Sequence, residues 1–371
     1  DYAAWQRNWL SGEVLQQQID YWLGQLKGIP ELLELPTDKP RPPQQSYQGA
    51  HYSHRLSPTL TRELTSLSRL QGVSLFMTLL SAFEILLSRY SRQDDICVGS
   101  PIANRTHQQT EDIIGFFVNT LVLRGQVPTP AHGNQKTISF IELLRETRQT
   151  CLAAYAHQDI PFEMLVEQLQ PTRSLSHSPL FQVMLVLQNN ESAELTLPGL
   201  DISALAPDYP IAKFDLTLNV EEQHGELHCS WEYATDLFYA ETIERMAGHF
   251  EVLLTAIKDN PAQSISHLPM LTEKEVQQLL AWNDTATEYQ VDKTLVDLFE
   301  QQVSITPDNV AVVFEEQSVT YQQLNVQANQ LAHHLRALTV REESSNNPLI
   351  AIAVERSIEM VIGLFGILKA G

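Results

Sequence analysis

Two helical stripes set end to end, with a glycine between them, constrain this chain more than any other feature. Leu60, Leu64 and Leu67 recur at the spacing of one helical face, and Gly72 stands where a helix can close on a left-handed residue. Leu75, Leu79, Phe83, Leu86 and Tyr90 then mark a second face. Two packed helices are expected. The stripe gives way to Ile96-Cys97-Val98-Gly99, which reads as a short buried strand, and Phe117, Asn119, Leu121 and Leu123 alternate with Phe116, Val118, Thr120 and Val122 in another. A further helix starts at Ser139, whose hydroxyl caps the first turn while Glu142 reaches back; Phe140, Leu143, Leu144, Cys151 and Tyr155 form its apolar face, and it ends near His157. Residues 181–188, 214–220 and 226–233 are strand-like, and Ile243, Met246, Phe250, Leu253, Leu254 and Ile257 line a closing helix. Helices alternate with strands, so the fold class is α/β.

Lys258-Asp259-Asn260-Pro261 then breaks the periodicity, and a polar stretch runs through Asn283-Asp284-Thr285 to Asp292. This pattern divides the chain into residues 1–265, a linker at 266–291 and a second domain at 292–371. In the last part, 310–314 reads as a strand, and Thr320 caps a helix carrying Leu324, Ala328, Leu331 and Leu335. Residues 349–354 read as a second strand, followed by a helix with Ile358, Val361, Ile362, Leu364, Phe365 and Leu368.

Composition excludes several classes of partner. Lys and Arg total 24 against 45 Asp and Glu, and a net charge of -21 opposes nucleic acid and anionic membrane surfaces. Cys97, Cys151 and Cys229 are odd in number and widely spaced, which argues against a disulfide framework and a cysteine-based zinc site. No stretch has the ~18–20 apolar residues that cross a bilayer. A reducing cytoplasm is the expected setting.

Four short segments carry a resemblance. Tyr2-Ala3-Ala4-Trp5-Gln6, Ile114-Gly115-Phe116-Phe117-Val118-Asn119-Thr120, His157-Gln158-Asp159-Ile160-Pro161-Phe162-Glu163 and Ser178-Pro179-Leu180-Phe181-Gln182-Val183 follow the order seen in condensation domains of non-ribosomal peptide synthetases. Trp282-Asn283-Asp284-Thr285 resembles the linker that follows such domains. Val319-Thr320-Tyr321-Gln322-Gln323-Leu324-Asn325 and Leu368-Lys369-Ala370-Gly371 resemble the opening motifs of adenylation domains. One departure is Ser174 after Arg173, where the family often has an acidic or amide residue.

The resemblance implies a chloramphenicol-acetyltransferase-like fold. Residues 1–265 would be the crossover and C-terminal lobe, a mixed sheet with helices, and 292–371 the start of an adenylate-forming domain. It implies a parent that joins two carrier-bound thioesters through an amide and then activates an amino acid with ATP and Mg. Both thioesters would be tethered by 4'-phosphopantetheine on carrier domains. The family's HHxxxDG motif is not in this sequence, nor is its phosphate loop, so the expectation is an inactive fragment without a bound cofactor. Its partners would be carrier domains, a condensation N-terminal lobe and the rest of the adenylation domain. Other superfamily members (heterocyclisation, epimerisation, acyltransferase) and a non-catalytic carrier-binding remnant are alternatives.

Five side chains are candidates for the tunnel between the lobes, each with a structural reading beside the functional one. Asn119 in an apolar strand needs partners on burial, and either lines the tunnel or braces the HHxxxDG motif, or has a structural role alone. His157 and Asp159 either pair facing substrate or belong to a helix boundary, with Asp159 as N-cap beside Pro161. Gln182 either points into the tunnel at pantetheine or the acceptor or satisfies a neighbouring edge, and Arg173 either pairs with a carboxylate of the N-terminal lobe or is solvated. Trp5 reads as packing. His333-His334 lacks the following Asp-Gly and reads as helix surface; Glu315-Glu316 and Glu342-Glu343 read as solvated turns. Gly363 and Gly366 read as helix-packing positions rather than a phosphate loop.

Overall fold

The computed structural model describes residues 2–128, 138–172, 174–188, 210–288, 292–339 and 349–371. They fall into two compact units, 1–281 and 282–371. The first begins with α1 (Tyr2–Trp9) and α2 (Gly12–Gln25), then β1 (Gly49–Leu56), α3 (Pro58–Leu70), α4 (Leu75–Ser91), β2 (Asp95–Ile102) and β3 (Asn119–Gln126). It continues with α5 (Phe140–Ala156), α6 (Phe162–Leu169), β4 (Val183–Gln188), β5 (Leu216–Gln223), β6 (Glu226–Ala234), α7 (Ala240–Asp259) and α8 (Glu273–Asn283). The strands form one sheet in the order β1-β6-β5-β4-β2-β3. Its central pairs, β2 with β4 and β4 with β5, are parallel, and the flanking pairs are antiparallel. The mixed sheet bears out the α/β reading.

The two leading apolar stripes lie on α3 and α4. Ser57 and Ser74 cap these helices through Leu60 N and Met77 N, Pro58 opens α3, and Gly72 turns the chain at φ +67. The capping box at Ser139 and Glu142 is present, and α5 closes at His157. Trp231 of β6, Phe83 of α4 and Phe250 of α7 meet edge to face at 5.7–6.2 Å between ring centres. They are fully buried and join sheet to helices.

Two glycines let side chains approach the sheet closely. A Cβ on Gly99 would collide with the ring of Phe181, and one on Gly125 would collide with the carboxyl of Glu84. Gly125 pairs with Ile96, three residues before Gly99, so with period-2 alternation the two approaches come from opposite faces.

Irregular segments are held by side chains. The Arg41 guanidinium grips the buried Asp215 carboxylate through two bonds of 3.0 and 2.5 Å. Asp38 accepts from Tyr239 N and Thr242 Oγ1 at the first turn of α7. Arg89 donates to the carbonyls of Ile265 and Leu268 at 2.5 and 2.7 Å. His249 bridges Tyr90 and Glu275 at 2.7 and 2.9 Å, which fastens the start of α8 to α4 and α7. The stretch expected as linker thus contains a helix.

Two expectations fail locally. The strand read from Phe116 starts only at Asn119, because the Phe117 ring packs against the Tyr2 ring at 4.8 Å and the Arg105 guanidinium at 4.3 Å. Ile114 and Phe116 are left exposed.

The second failure lies in the other unit, which consists of α9 (Leu295–Ile305), a hairpin of β7 (Val310–Phe314) and β8 (Gln317–Thr320), α10 (Tyr321–Thr339) and α11 (Ile358–Ala370). Its core is Phe299, Val303 and Leu324. Thr320 caps α10 through Gln323 N at 3.2 Å. Residues 349–354 are not a strand: among the described residues no neighbour gives them a ladder, and Leu349 and Val354 are exposed. No single helix among the described residues is long and apolar enough to cross a membrane.

The buried polar groups generate two predictions. Asp215→Asn leaves the Arg41 guanidinium beside a neutral amide in a buried site and should cost about 3 kcal/mol in urea unfolding, in the range for a broken buried pair. Glu84 is buried against Thr147, with Cys97 and Cys151 nearby, both thiols pushed up to about 12 by burial. Burial raises its carboxyl to about 8. Its contribution to stability is therefore complete below the ordinary pKa of 4.5 and is lost as pH rises through about 8, since the unfolded chain ionises first. Wild-type melting temperature should fall between pH 5 and pH 9 more steeply than that of Glu84→Gln; parallel curves would refute a buried neutral carboxyl.

Candidate functional site

The segment 157–162 joins α5 to α6 at the end of the sheet where β3 begins. Asn119, the first residue of β3, holds it with its whole amide. Nδ2 donates to the carbonyls of Gln158 and Ile160 at 2.9 and 2.8 Å, while Oδ1 accepts from Thr120 N and Phe162 N at 2.9 and 3.1 Å. Both donors and both acceptor positions are in use, which offsets the cost of burying the group. The alternation that starts here places an amide where a strand end meets a loop.

α2 grips the same segment from the other side. Trp22 Nε1 donates to the His157 carbonyl at 2.8 Å, and Gln18 Nε2 reaches the Ala156 carbonyl at 3.5 Å and Asp159 Oδ2 at 3.4 Å. These side chains satisfy carbonyls left over at the end of α5. Sequence reasoning passed over both, although Gln18 and Trp22 stand four apart on one helical face. His157 stacks on Tyr21 with ring centres 4.0 Å apart, and its Nδ1 lies 2.8 Å from the Ala153 carbonyl, which requires Nδ1 to carry the hydrogen. Burial raises the Asp159 carboxyl above its ordinary range, and His107 and His157 partly oppose the shift.

The candidates separate accordingly. Asn119, His157 and Asp159 are gathered at one junction. Asp159 is not the N-cap of α6: Pro161 occupies that position, and no side chain caps it. Gln182 is 3% exposed and accepts from Leu33 N at 2.8 Å while donating to the Ser178 and Glu31 carbonyls at 2.8 and 3.3 Å. It ties the segment after α2 to the turn before β4. Arg173 lies outside the described residues. Phe162, Phe181 and Phe214 form a run of rings 5.7 and 5.1 Å apart that connects two of the signature segments. Trp5 stacks on Trp9 at 5.3 Å and meets His107 edge-on at 4.8 Å, a packing role with a half-open face.

Beside this junction is a cleft of about 850 Å³. Its walls are the first turn of α4, residues 100–103 at the end of β2, Tyr155, Gln158, the end of β4 and the β5–β6 turn. It therefore opens at the carboxyl ends of the parallel strands, where irregular chain leaves room for a ligand. Asn119, His157, Asp159 and Gln182 are not among the lining residues; the first three belong to the junction behind Gln158, and Gln182 lies before β4, away from the cleft end of that strand. Gln158 belongs to a signature segment, yet no pattern in the sequence sets it apart from its neighbours there.

A Cβ on Gly363 would lie 2.5 Å from Ile352 Cδ1 and one on Gly366 2.6 Å from Leu331 Cδ2, so both glycines serve close packing. His333 and His334 are exposed on α10, and Glu315-Glu316 form the β7–β8 turn; Glu342-Glu343 lie outside the described residues.

Known proteins match both units. The condensation domain model matches residues 1–280, and the AMP-binding enzyme model matches 299–371. One polypeptide of the linear gramicidin synthase of Brevibacillus parabrevis is 48% identical over 377 residues, covering 100% of this chain and 7% of that protein. The malpinin synthetase of Mortierella alpina is 47% identical over 372 residues, covering 100% of this chain and 5% of its own length. The chain thus spans well under a tenth of these two relatives. Among solved structures, a holo four-domain nonribosomal peptide synthetase bound to AMP and glycine aligns with TM-score 0.73 and 25% identity over 88% of this chain and 25% of its own. The X-domain from teicoplanin biosynthesis aligns with TM-score 0.66 and 25% identity over 73% of this chain and 61% of its own. The chain belongs to the condensation-domain family of nonribosomal peptide synthetases and continues into the start of an AMP-binding enzyme.

Proposed function

We propose that the first unit is the C-terminal part of a condensation domain whose parent forms an amide between two carrier-bound thioesters. The observation that carries this is the 850 Å³ cleft at the sheet end, walled by a signature loop that Asn119 fixes with three hydrogen bonds. The reaction is an attack of an uncharged amine on a thioester carbonyl: an N–C bond forms, the C–S bond breaks, and the amine proton leaves as the thiol is released. Each substrate would arrive on the 4'-phosphopantetheine arm of a carrier domain. The group that handles the amine proton would come from the HHxxxDG motif of the other lobe.

This chain's residues contribute position. Holding two reactants in attack geometry can supply about 7–11 kcal/mol of a barrier, and a wall that shifts by an ångström forfeits much of it. Asn119, Gln18 and Trp22 keep that wall in place through main-chain carbonyls. ATP and Mg would serve the adenylation domain that the second unit belongs to; Gly363 and Gly366 have a packing role. No step of adenylation is assigned to this chain.

The intact module loaded with donor and acceptor thioesters should yield the condensed product on the acceptor carrier by mass spectrometry, and the 371-residue chain alone should yield none. Product from the isolated chain would mean that it holds a complete catalytic set. Asn119→Ala removes the amide from four main-chain partners and should cost about 2–4 kcal/mol by urea unfolding, from roughly 1 kcal/mol per lost bond. Amide exchange at Ile160 and Phe162 should accelerate more than exchange in α7; equal acceleration throughout would mean that the clamp is not local.

A further inference from the structure

Along 157–162, the part of the signature 157–163 that precedes the exposed Glu163, the side chains divide unequally. His157 is stacked on Tyr21 and bonded to Ala153, Asp159 accepts from Gln18, Ile160 is buried, Pro161 leads into α6, and Phe162 packs on Phe181. Gln158 is the exception. Its carbonyl is held by Asn119, while its side chain lines the cleft and has no protein hydrogen bond among the described residues. The flanking carbonyls of Ala156, His157 and Ile160 are fixed as well, so the direction in which Gln158 leaves the backbone is set by Gln18, Trp22 and Asn119.

From this we infer that Gln158 is a substrate-orienting residue that pairs with a secondary amide of the thioester arm in the cleft. The inference rests on the condensation reading above. A primary amide offers two donors and an acceptor, and the complementary group is one that presents N–H and C=O together. A secondary amide does so; an alkyl chain does not. Around Gln158 the cleft wall adds the apolar edges of Ile102 and Leu187 and the hydroxyl-bearing Ser100 and Tyr155, a lining suited to a thin, mostly aliphatic arm interrupted by amides. The carboxamide of Gln158 fixes the register of that arm along the cleft. Asn119, Gln18 and Trp22 are positioning residues that act through it.

The test uses the intact module with soluble substrates whose arm is changed on one substrate at a time: an aminoacyl N-acetylcysteamine thioester, which has a secondary amide, against the ethanethiol thioester, which has none. Wild type should show a KM about five- to ten-fold lower for the amide-bearing arm on at least one substrate, the range for one hydrogen bond. Gln158→Leu should abolish that preference by raising KM for the amide-bearing arm, with kcat nearly unchanged. Gln158→Glu, of the same size, should keep part of it and guards against a folding defect in the leucine variant. Loss of activity toward both arms alike, or an undiminished preference in both variants, overturns the inference. In parallel, the side-chain amide signals of Gln158 in the 371-residue chain should shift on titration with an S-alkyl N-acetylcysteamine and stay fixed with the matching alkyl sulfide. An inactive wild-type module together with that shift would remove the condensation reading and leave an amide-binding site. An unmoved Gln158 signal would remove the site itself.

Discussion

One carboxamide settles how the end of the sheet meets the loop beside the cleft. Asn119 stands where β3 begins, and its side chain closes four hydrogen bonds to main-chain atoms of the strand and of the segment between α5 and α6. An apolar residue there would bury as readily, but it would leave the carbonyls of Gln158 and Ile160 and the amide of Phe162 without partners. A carboxylate would turn acceptors toward acceptors. The two donors and two acceptors of an asparagine fit the site, and through it the sheet dictates the path of the signature loop. Trp22 and Gln18 repeat the device from α2 by taking the carbonyls at the end of α5. The wall of the cleft is thereby held from two sides through its backbone, so its side chains are left for other tasks.

The same principle recurs wherever the chain lacks regular structure. Gln182 fixes the backbone at Glu31 and Leu33, Asp38 takes the first turn of α7, and Arg89 holds the carbonyls of Ile265 and Leu268. Each is a polar side chain reaching across a long sequence separation to groups that no helix or strand satisfies. Glu84 is the counterexample. Its carboxyl lies against the backbone of Gly125 with Thr147 as its one side-chain donor among the described residues, and burial without a charge partner leaves it neutral at ordinary pH.

Much of the fold could be read from sequence for a simple reason. Apolar periodicity reports burial, and burial sets the regular elements: the stripes of α3, α4, α5, α7 and α10 are in the predicted places, with the caps at Ser139 and Thr320. Order and spacing of four short segments pointed to the family. What could not be read was which groups satisfy one another at a distance. Phe116 to Val118 alternate like a strand, but Phe117 leaves the ladder for Tyr2 and Arg105. Residues 349–354 have strand composition, yet composition does not supply a partner strand. Asp159 beside Pro161 has the look of a cap, and Gln18 draws it toward α2 instead. Gln158 escaped notice because a side chain with no hydrogen-bond partner among the described residues leaves no pattern in its own chain.

The distribution of polar groups also says what kind of contribution this unit makes. A catalytic base must exchange protons, so it needs a perturbed but accessible group. Here the polar side chains behind the cleft wall, Asn119, Gln18 and Trp22, are engaged in fixed hydrogen bonds, and His157 has its Nδ1 and one ring face occupied. Such groups are poor proton carriers and good struts. Rigidity of that kind has value only if a reacting pair must be held within tight limits while the proton chemistry is done by another surface. A wall fixed through its carbonyls, with an amide facing the open space, meets that requirement.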